Sequence, residues 1–305
     1  MDFVETSADL SQIETAILFA SYERRSITVA KNLYDSGFRG NVNVLFCEDL
    51  PPKRIKSYLD EIIHFFGNRT KMVPVSYHNP IPAIEAARNL NWTPYMLIDA
   101  SCFNRGNLFP FLWSSQLGRL FTSDVTFAYS APESYGDWLS ADYGDPRNIV
   151  GFSGGLEFGR DRVLICIVGF EATRALAVIQ SVEPSKVILT VGTIPTREQF
   201  CARNQHTVEE LHGSKNYEIR NINVSDPGAC MKDLKEILEE FPPETEISFA
   251  PFSTKLSCLA IWALWLENTK IRVWNAQPKT YNLLNYSKGS LAPRYFRVNW
   301  TTTQK

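Results

Sequence analysis

The sequence is poor in the residues that mark redox, metal and membrane chemistry. Of 305 residues, only six are cysteine, four histidine and four methionine. Cys47, Cys102, Cys166, Cys201, Cys230 and Cys258 form no CxxC pair, and several lie inside apolar runs, where a free thiol packs as a small hydrophobe. That excludes a disulfide scaffold and points to a reducing cytoplasm. Cys201 and His206 lie close in sequence, but without a third ligand nearby they specify no metal site. An excess of charge is also missing: the net charge is −2, which drives no wholesale binding to extended nucleic acid or anionic lipid. The longest apolar run, Leu256 to Leu266, falls short of the roughly 20 residues a membrane span needs and reads as a buried helix. Met1 to Glu14 is acidic and polar, unlike an export signal, so a cytoplasmic location is expected. Finally, no GxGxxG opens a helix and no GKS or GKT occurs, which excludes the dinucleotide fingerprint and the phosphate loop of P-loop proteins.

What the chain does contain is internal likeness. AILFASYERRSITV, from Ala16 to Val29, and LICIVGFEATRALAV, from Leu164 to Val178, each run from an apolar strand through a small residue, an aromatic, a glutamate and a basic stretch into a helix. YMLIDASCFNR (95–105) matches EISFAPFSTK (246–255), and DVTFAYSAPESY (124–135) matches KIRVWNAQPKTY (270–281). Likeness at this spacing outranks local propensity. Continuous apolar strands alternating with amphipathic helices then predict an α/β fold. It consists of two related Rossmann-like units with parallel-dominated sheets and helices on both faces. The expected divisions are residues 1–141, an inter-unit linker or interface loop over 142–162 that contains GDPRNIVGFSGG, and residues 163–305 with a basic, aromatic C-terminal extension.

In parallel α/β folds ligands bind beyond the carboxyl ends of the strands. The candidates are therefore Ser21, Tyr22, Glu23, Arg24, Arg25, Asp99, Ser101, Asn104 and Arg105 in the first half. In the second they are Gly169, Phe170, Glu171, Thr173, Arg174, Ser253, Thr254 and Lys255. The polar strand exit KVILTVGTIPTREQF adds Gly192, Thr193, Thr196 and Arg197. Hydroxyls beside a helix start either cap it or bind phosphate, because the first turn leaves amides unpaired. Glu23 with Arg25 and Glu171 with Arg174 carry two readings as well. One is a structural ion pair in each half. The other is a ligand cleft with arginine forks from both sides, suited to phosphate.

EISFAPFSTKLSCLAIWALWL resembles the corresponding strand, polar loop and helix of CARF-type and SAVED-type nucleotide-sensing domains. In those families two Rossmann-like units form a composite pocket for a signalling nucleotide, often in prokaryotic antiviral defence. The resemblance implies that Thr254 and Lys255 are the hydroxyl and basic positions toward the ligand, with Gly192 and Thr193 as looser matches. Phe252 and Ser253 stand where those families usually have a glycine pair. The expectation is a nucleotide-responsive sensor or regulatory subunit that binds a small phosphate-bearing ligand between its halves and signals to a separate effector protein. No other cofactor is evident. One alternative is an enzyme that cleaves a glycosidic or phosphodiester bond, with Glu23 and Glu171 as catalytic candidates. The other is a non-catalytic assembly factor.

Overall fold

The computed structural model describes residues 1–117, 124–155, 161–195, 197–213, 215 and 217–300. The chain begins with β1 (Asp2–Thr6), β2 (Thr15–Ala20), α1 (Thr28–Asp35), β3 (Asn41–Cys47), α2 (Pro52–Phe66), β4 (Thr70–Val75) and α3 (Ile81–Asn89). It continues through β5 (Tyr95–Asp99), α4 (Arg105–Leu117), β6 (Asp124–Tyr129), β7 (Ser134–Tyr135), β8 (Ser140–Tyr143) and β9 (Arg147–Asn148). Then come β10 (Arg162–Ile167), α5 (Ala172–Val182), β11 (Lys186–Thr193), α6 (Glu198–His212), β12 (Glu218–Asn223), α7 (Pro227–Leu238), β13 (Glu246–Pro251) and α8 (Lys255–Glu267). It ends with β14 (Arg272–Asn275), β15 (Pro278–Tyr281), β16 (Ser287–Lys288) and β17 (Arg294–Asn299).

Local chemistry sets several of these limits. Gly37, with φ of +76°, follows the end of α1 in the left-handed region where glycine meets no steric penalty. Asp226 caps α7 by accepting from the amide of Ala229, and Pro227 occupies its first turn, where no amide is needed. The α8 helix, apolar on every side, is buried from Leu256 to Leu266. Among the described residues no helix is long and apolar enough to cross a membrane.

The chain is α/β and forms two compact units. The first takes Met1–Trp138 and the chain from Asn282 onward; the second takes Leu139–Tyr281. The first unit's sheet runs β1-β17-β6-β5-β2-β3-β4, with β2 to β6 parallel and β17 antiparallel to both of its neighbours. On one face α1 and α2 pack Val29, Leu33, Ile62 and Phe66 against Leu18, Val44 and Leu97. Strand residues of the opposite parity face the other way: Phe19 meets Phe103 at 4.5 Å, and Phe103 meets Phe111 of α4 at 5.6 Å.

The second unit's sheet runs β12-β11-β10-β13-β14-β9. Its order repeats β4-β3-β2-β5-β6-β17, with an antiparallel strand at the same place beside the last parallel one. The source of that strand differs from the sequence-based division. β9 precedes the core of the second unit in the chain yet completes its sheet, and β17 follows that core yet completes the first sheet. Two short ribbons cross over in the same way, β7 with β16 in the first unit and β8 with β15 in the second. The expected linker over 142–162 is thus partly built into the second unit as β8 and β9, residues 156–160 lying outside the described residues. The extension assigned to the second half belongs, from Asn282, to the first.

Candidate functional site

In the first unit the loop after β2 folds onto its own sheet. Arg25 donates from Nε to Glu23 Oε2 at 2.9 Å and from Nη2 to Oε1 at 3.0 Å, a two-pronged pair whose side chains are 4% and 6% exposed. Its Nη1 donates to the carbonyl of Ser130 at 3.1 Å, just past β6. Burial opposes the charge on Arg25, but the Glu23 carboxylate beside it holds the guanidinium well above its ordinary pKa. The hydroxyl of Ser287, on β16, donates to Glu23 Oε2 at 2.6 Å. Ser21 is buried, and its carbonyl accepts from Ser26 Oγ at 3.5 Å. Tyr22, also buried, meets the ring of Tyr286 nearly edge-on at 5.8 Å.

Asp99 ends β5 beneath this loop and is fully buried. Its Oδ1 accepts from the amide of Ser101 at 2.9 Å, while Oδ2 has no hydrogen-bond partner among the described residues. Burial pushes its carboxyl up to about 6, against the lowering effects of Ser101 and Arg25. Ser101 Oγ accepts from the amide of Ser130 at 2.8 Å. Arg105 opens α4 and is buried. The neighbouring Asn104 and Asn107 direct amide nitrogens at Cys47 Sγ, at 3.8 and 3.7 Å. Burial, with Asp49 nearby, drives the Cys47 thiol far above its ordinary pKa, so it stays protonated and unreactive.

The second unit repeats the clamp with different spacing. Arg174 donates from Nε to the carbonyl of Ala276 at 2.8 Å and from Nη2 to Asn275 Oδ1 at 2.8 Å. Its Nη1 lies 3.5 Å from Glu171 Oε2, and its guanidinium covers the Phe252 ring at 4.7 Å. Ser140, on β8, donates its hydroxyl to Glu171 Oε1. In place of the expected phosphate forks, both arginines direct these donors at the protein itself, as the structural reading of the paired motif requires. The two glutamates, expected as catalytic candidates, serve as acceptors inside the same clamps.

The other strand exits of the second unit meet at the carboxyl edge of its sheet. A Cβ on Gly169 would stand 2.2 Å from the carbonyl oxygen of Phe252, so the loops after β10 and β13 touch backbone to backbone. A Cβ on Gly192 would lie 3.3 Å from Ser253 Oγ, which joins the exit of β11 to the same place. Asn204, completely buried on α6, ties the exits together. Its Oδ1 accepts from the Gly192 amide at 2.6 Å, and its Nδ2 donates to the carbonyls of Val168 and Gly169, both at 2.7 Å. Thr254 caps α8, accepting from Ser257 N at 3.3 Å and donating to the Val224 carbonyl at 2.6 Å. Thr193 donates to the Ile222 carbonyl at 3.1 Å. Ser253 and Lys255 are half-buried on either side of that cap, and Arg197 is half-buried just before α6. Thr196 lies outside the described residues.

The structure therefore sorts the expected residues by unit. In the second unit it gathers Gly192, Ser253, Thr254 and Lys255 around one edge and gives the Thr254 and Thr193 hydroxyls structural partners. Asn204 was not expected, and neither were Phe200 and Arg203, the partners of the expected Phe170. Phe170 follows Gly169, its ring 4.8 Å from that of Phe200 and 4.5 Å from the Arg203 guanidinium. The aromatic after the first strand was visible in both like segments, but its partners lie in a stretch of α6 that carries no motif. Among the described residues no group of three or more His, Cys, Asp or Glu is placed to hold a metal ion.

No family model and no curated protein matches the chain. Among solved structures it is similar to the cytoplasmic domain of a prokaryotic cation chloride cotransporter, at 10% identity and a TM-score of 0.29 over 89% of this chain and 98% of that one. It is also similar to a universal stress protein from Archaeoglobus fulgidus DSM 4304, at 13% identity and a TM-score of 0.24 over 87% and 96% of the two chains. A third is FolM alternative dihydrofolate reductase 1 from Brucella canis complexed with NADP, at 10% identity and a TM-score of 0.25 over 71% and 94%. Likenesses this weak carry no argument about this chain.

Proposed function

We propose that the protein is a nucleotide-responsive sensor or regulatory subunit whose second unit receives the phosphate-bearing end of a small ligand. The receiving edge is formed by the exits of β10, β11 and β13. The observation that carries this reading is the junction made by Asn204, which holds the Gly169 and Gly192 backbones beside Ser253 and the start of α8. Glycine at two strand exits lets the loops pack main chain against neighbour, Gly169 on the Phe252 carbonyl and Gly192 on Val224 and Ser253, and so fixes Ser253 and the start of α8 in place. The amino end of a 13-residue helix carries partial positive charge, and Lys255 adds a full one in its first turn.

Binding is favoured over hydrolysis because Glu23 and Glu171, the carboxylates first considered for acid–base chemistry, are engaged by arginine and serine. A general base needs a lone pair within reach of a substrate proton. On the resemblance to CARF-type and SAVED-type domains, the response would pass to a separate effector protein in antiviral defence. A ligand can drive such a response only by favouring one conformation over another.

Calorimetric titration with a nucleotide panel tests the reading. Lys255→Ala should weaken binding about tenfold, the scale of one charge-assisted contact, and leave the unfolding midpoint unchanged. Mass analysis should recover the nucleotide intact. Turnover of the nucleotide, or unaltered affinity in folded Lys255→Ala protein, would count against it.

A further inference from the structure

We propose that residues 282–293 are a lid over the strand exits of the first unit, one that lifts while the sheet beneath it stays folded. The lid concerns a different edge from the phosphate reading above and does not rest on it. In the order β6-β5-β2-β3-β4 the direction of winding reverses between β5 and β2, the place where an open α/β sheet takes up ligands. The loops leaving those two strands carry Ser21 to Arg25 and Ala100 to Asn104. Glu23, Arg25, Asp99, Ser101 and Ser130 gather at these exits, and none is more than 7% exposed. Asp99 Oδ2 lies there with no hydrogen-bond partner among the described residues. A sheet edge so rich in buried polar groups has the lining of a site with its cover on.

The cover is the chain between Asn282, which donates to the Trp138 carbonyl at 3.0 Å, and β17. Along it Tyr286 meets Tyr22, Ser287 donates to Glu23, Ser290 Oγ accepts from Thr28 Oγ1 at 2.8 Å, and the Leu291 carbonyl accepts from Ser130 Oγ at 2.6 Å. Ser130 leads inward, its carbonyl to Arg25 and its amide to Ser101. These attachments are largely polar. From Leu283 to Pro293 no residue is buried, and Leu284 and Leu291 are 69% and 43% exposed. A segment that buries little apolar surface and is held by hydrogen bonds near solvent opens at a lower free energy than the sheet it lies on. Its two ends are held more firmly: Asn282 is buried, and β17 lies between β1 and β6 with Phe296 fully buried.

The test uses the full chain, with the thiol of Cys102 as reporter. Cys102 is buried, follows Ser101, and lies close enough to Tyr22 and Arg25 to act on the charge of both. Its modification by N-ethylmaleimide is followed by peptide mass mapping at urea concentrations below the unfolding transition. Cys102 should react at a rate nearly independent of urea, because lifting the lid exposes little surface. Ser287→Ala should speed the reaction about tenfold or more, as expected for a lost hydrogen bond to a charged acceptor, and Thr28→Val about fivefold. A Cys102 that resists modification, or whose rate climbs with urea as steeply as global unfolding does, would overturn the lid, since the thiol would then be bared only with the whole unit. A rate unchanged in either folded variant would overturn it too, since the opening that bares Cys102 would leave residues 282–293 in place.

Discussion

Ser287 donates its hydroxyl to Glu23 at 2.6 Å across 264 residues of chain, and it does so where Glu23 is already holding the buried Arg25. The same three residue types meet in the second unit as Ser140, Glu171 and Arg174. In each, the serine comes from a crossing ribbon, the glutamate from the loop after the first core strand, and the arginine reaches the carbonyl just past the last parallel strand. The clamp therefore fastens the crossing chain to the sheet it completes.

Removing one member of a buried ion pair leaves the other charged, desolvated and unpaired. Glu23→Ala should accordingly cost about 3–5 kcal/mol in urea unfolding. Ser287→Ala removes one hydrogen bond to a charged acceptor and should cost about 1.5–3 kcal/mol. Because both act on one network, the double variant should lose less than the sum of the two. Simple additivity would show that the two contacts act independently, and a Glu23→Ala midpoint equal to that of the wild type would show that the clamp does not bear on stability.

The halves of this arrangement differ in how far the sequence reveals them. The parallel core was legible because fully buried strands such as Ala16–Ala20 and Leu164–Ile167 read as unbroken apolar runs, and their order recurs. Glu23 and Glu171 stood out because they follow an aromatic in both copies. Neither serine could be found this way, since a hydroxyl announces its partner only when tertiary structure delivers it. The strand exchange was hidden for a related reason. β9 is two residues long, and β17 reads as a basic, aromatic tail able to cover either sheet edge. Asn204 was invisible too: it is a polar residue in a polar helix, and its importance comes from three backbone groups on two distant loops.

Asp99 predicts a pH dependence opposite to that of most carboxylates. Its folded pKa of about 6 lies above the ordinary 3.8, so the folded protein binds this proton more tightly than the unfolded chain does. The contribution is favourable when Asp99 is protonated, declines as pH rises from about 4 to about 6, and is constant above that. A shift of about two units corresponds to roughly 2–3 kcal/mol. Arg25 and Tyr295 are the ionisable groups that interact with it, and Arg25 limits the penalty. Glu5, Asp49 and Glu218, all held low, work in the opposite direction, so the informative quantity is a difference. Urea unfolding of wild type and Asp99→Asn from pH 4 to pH 8 should show the variant gaining on the wild type up to about pH 6 and then running parallel. A constant difference across that range would mean that Asp99 titrates normally in the fold.

The exchanged strands predict that the chain can be cut without coming apart. A protease site placed between Gly155 and Asp161 would separate a fragment holding β1 to β9 from one holding β10 to β17. Each unit would still be built from both fragments. β17 would remain between β1 and β6, aligned with five residues of one and four of the other, while β9 and the two ribbons would hold in the same manner. Withdrawing β17 would expose Phe296 and Val298, which are 0% and 1% accessible, at about 1.5–3 kcal/mol for each side chain, besides breaking hydrogen bonds on both sides. The nicked protein should therefore elute from gel filtration at the position of the intact chain and fall into two fragments only when urea is added. Separation in native buffer would show that the crossing strands contribute too little to hold the two fragments together.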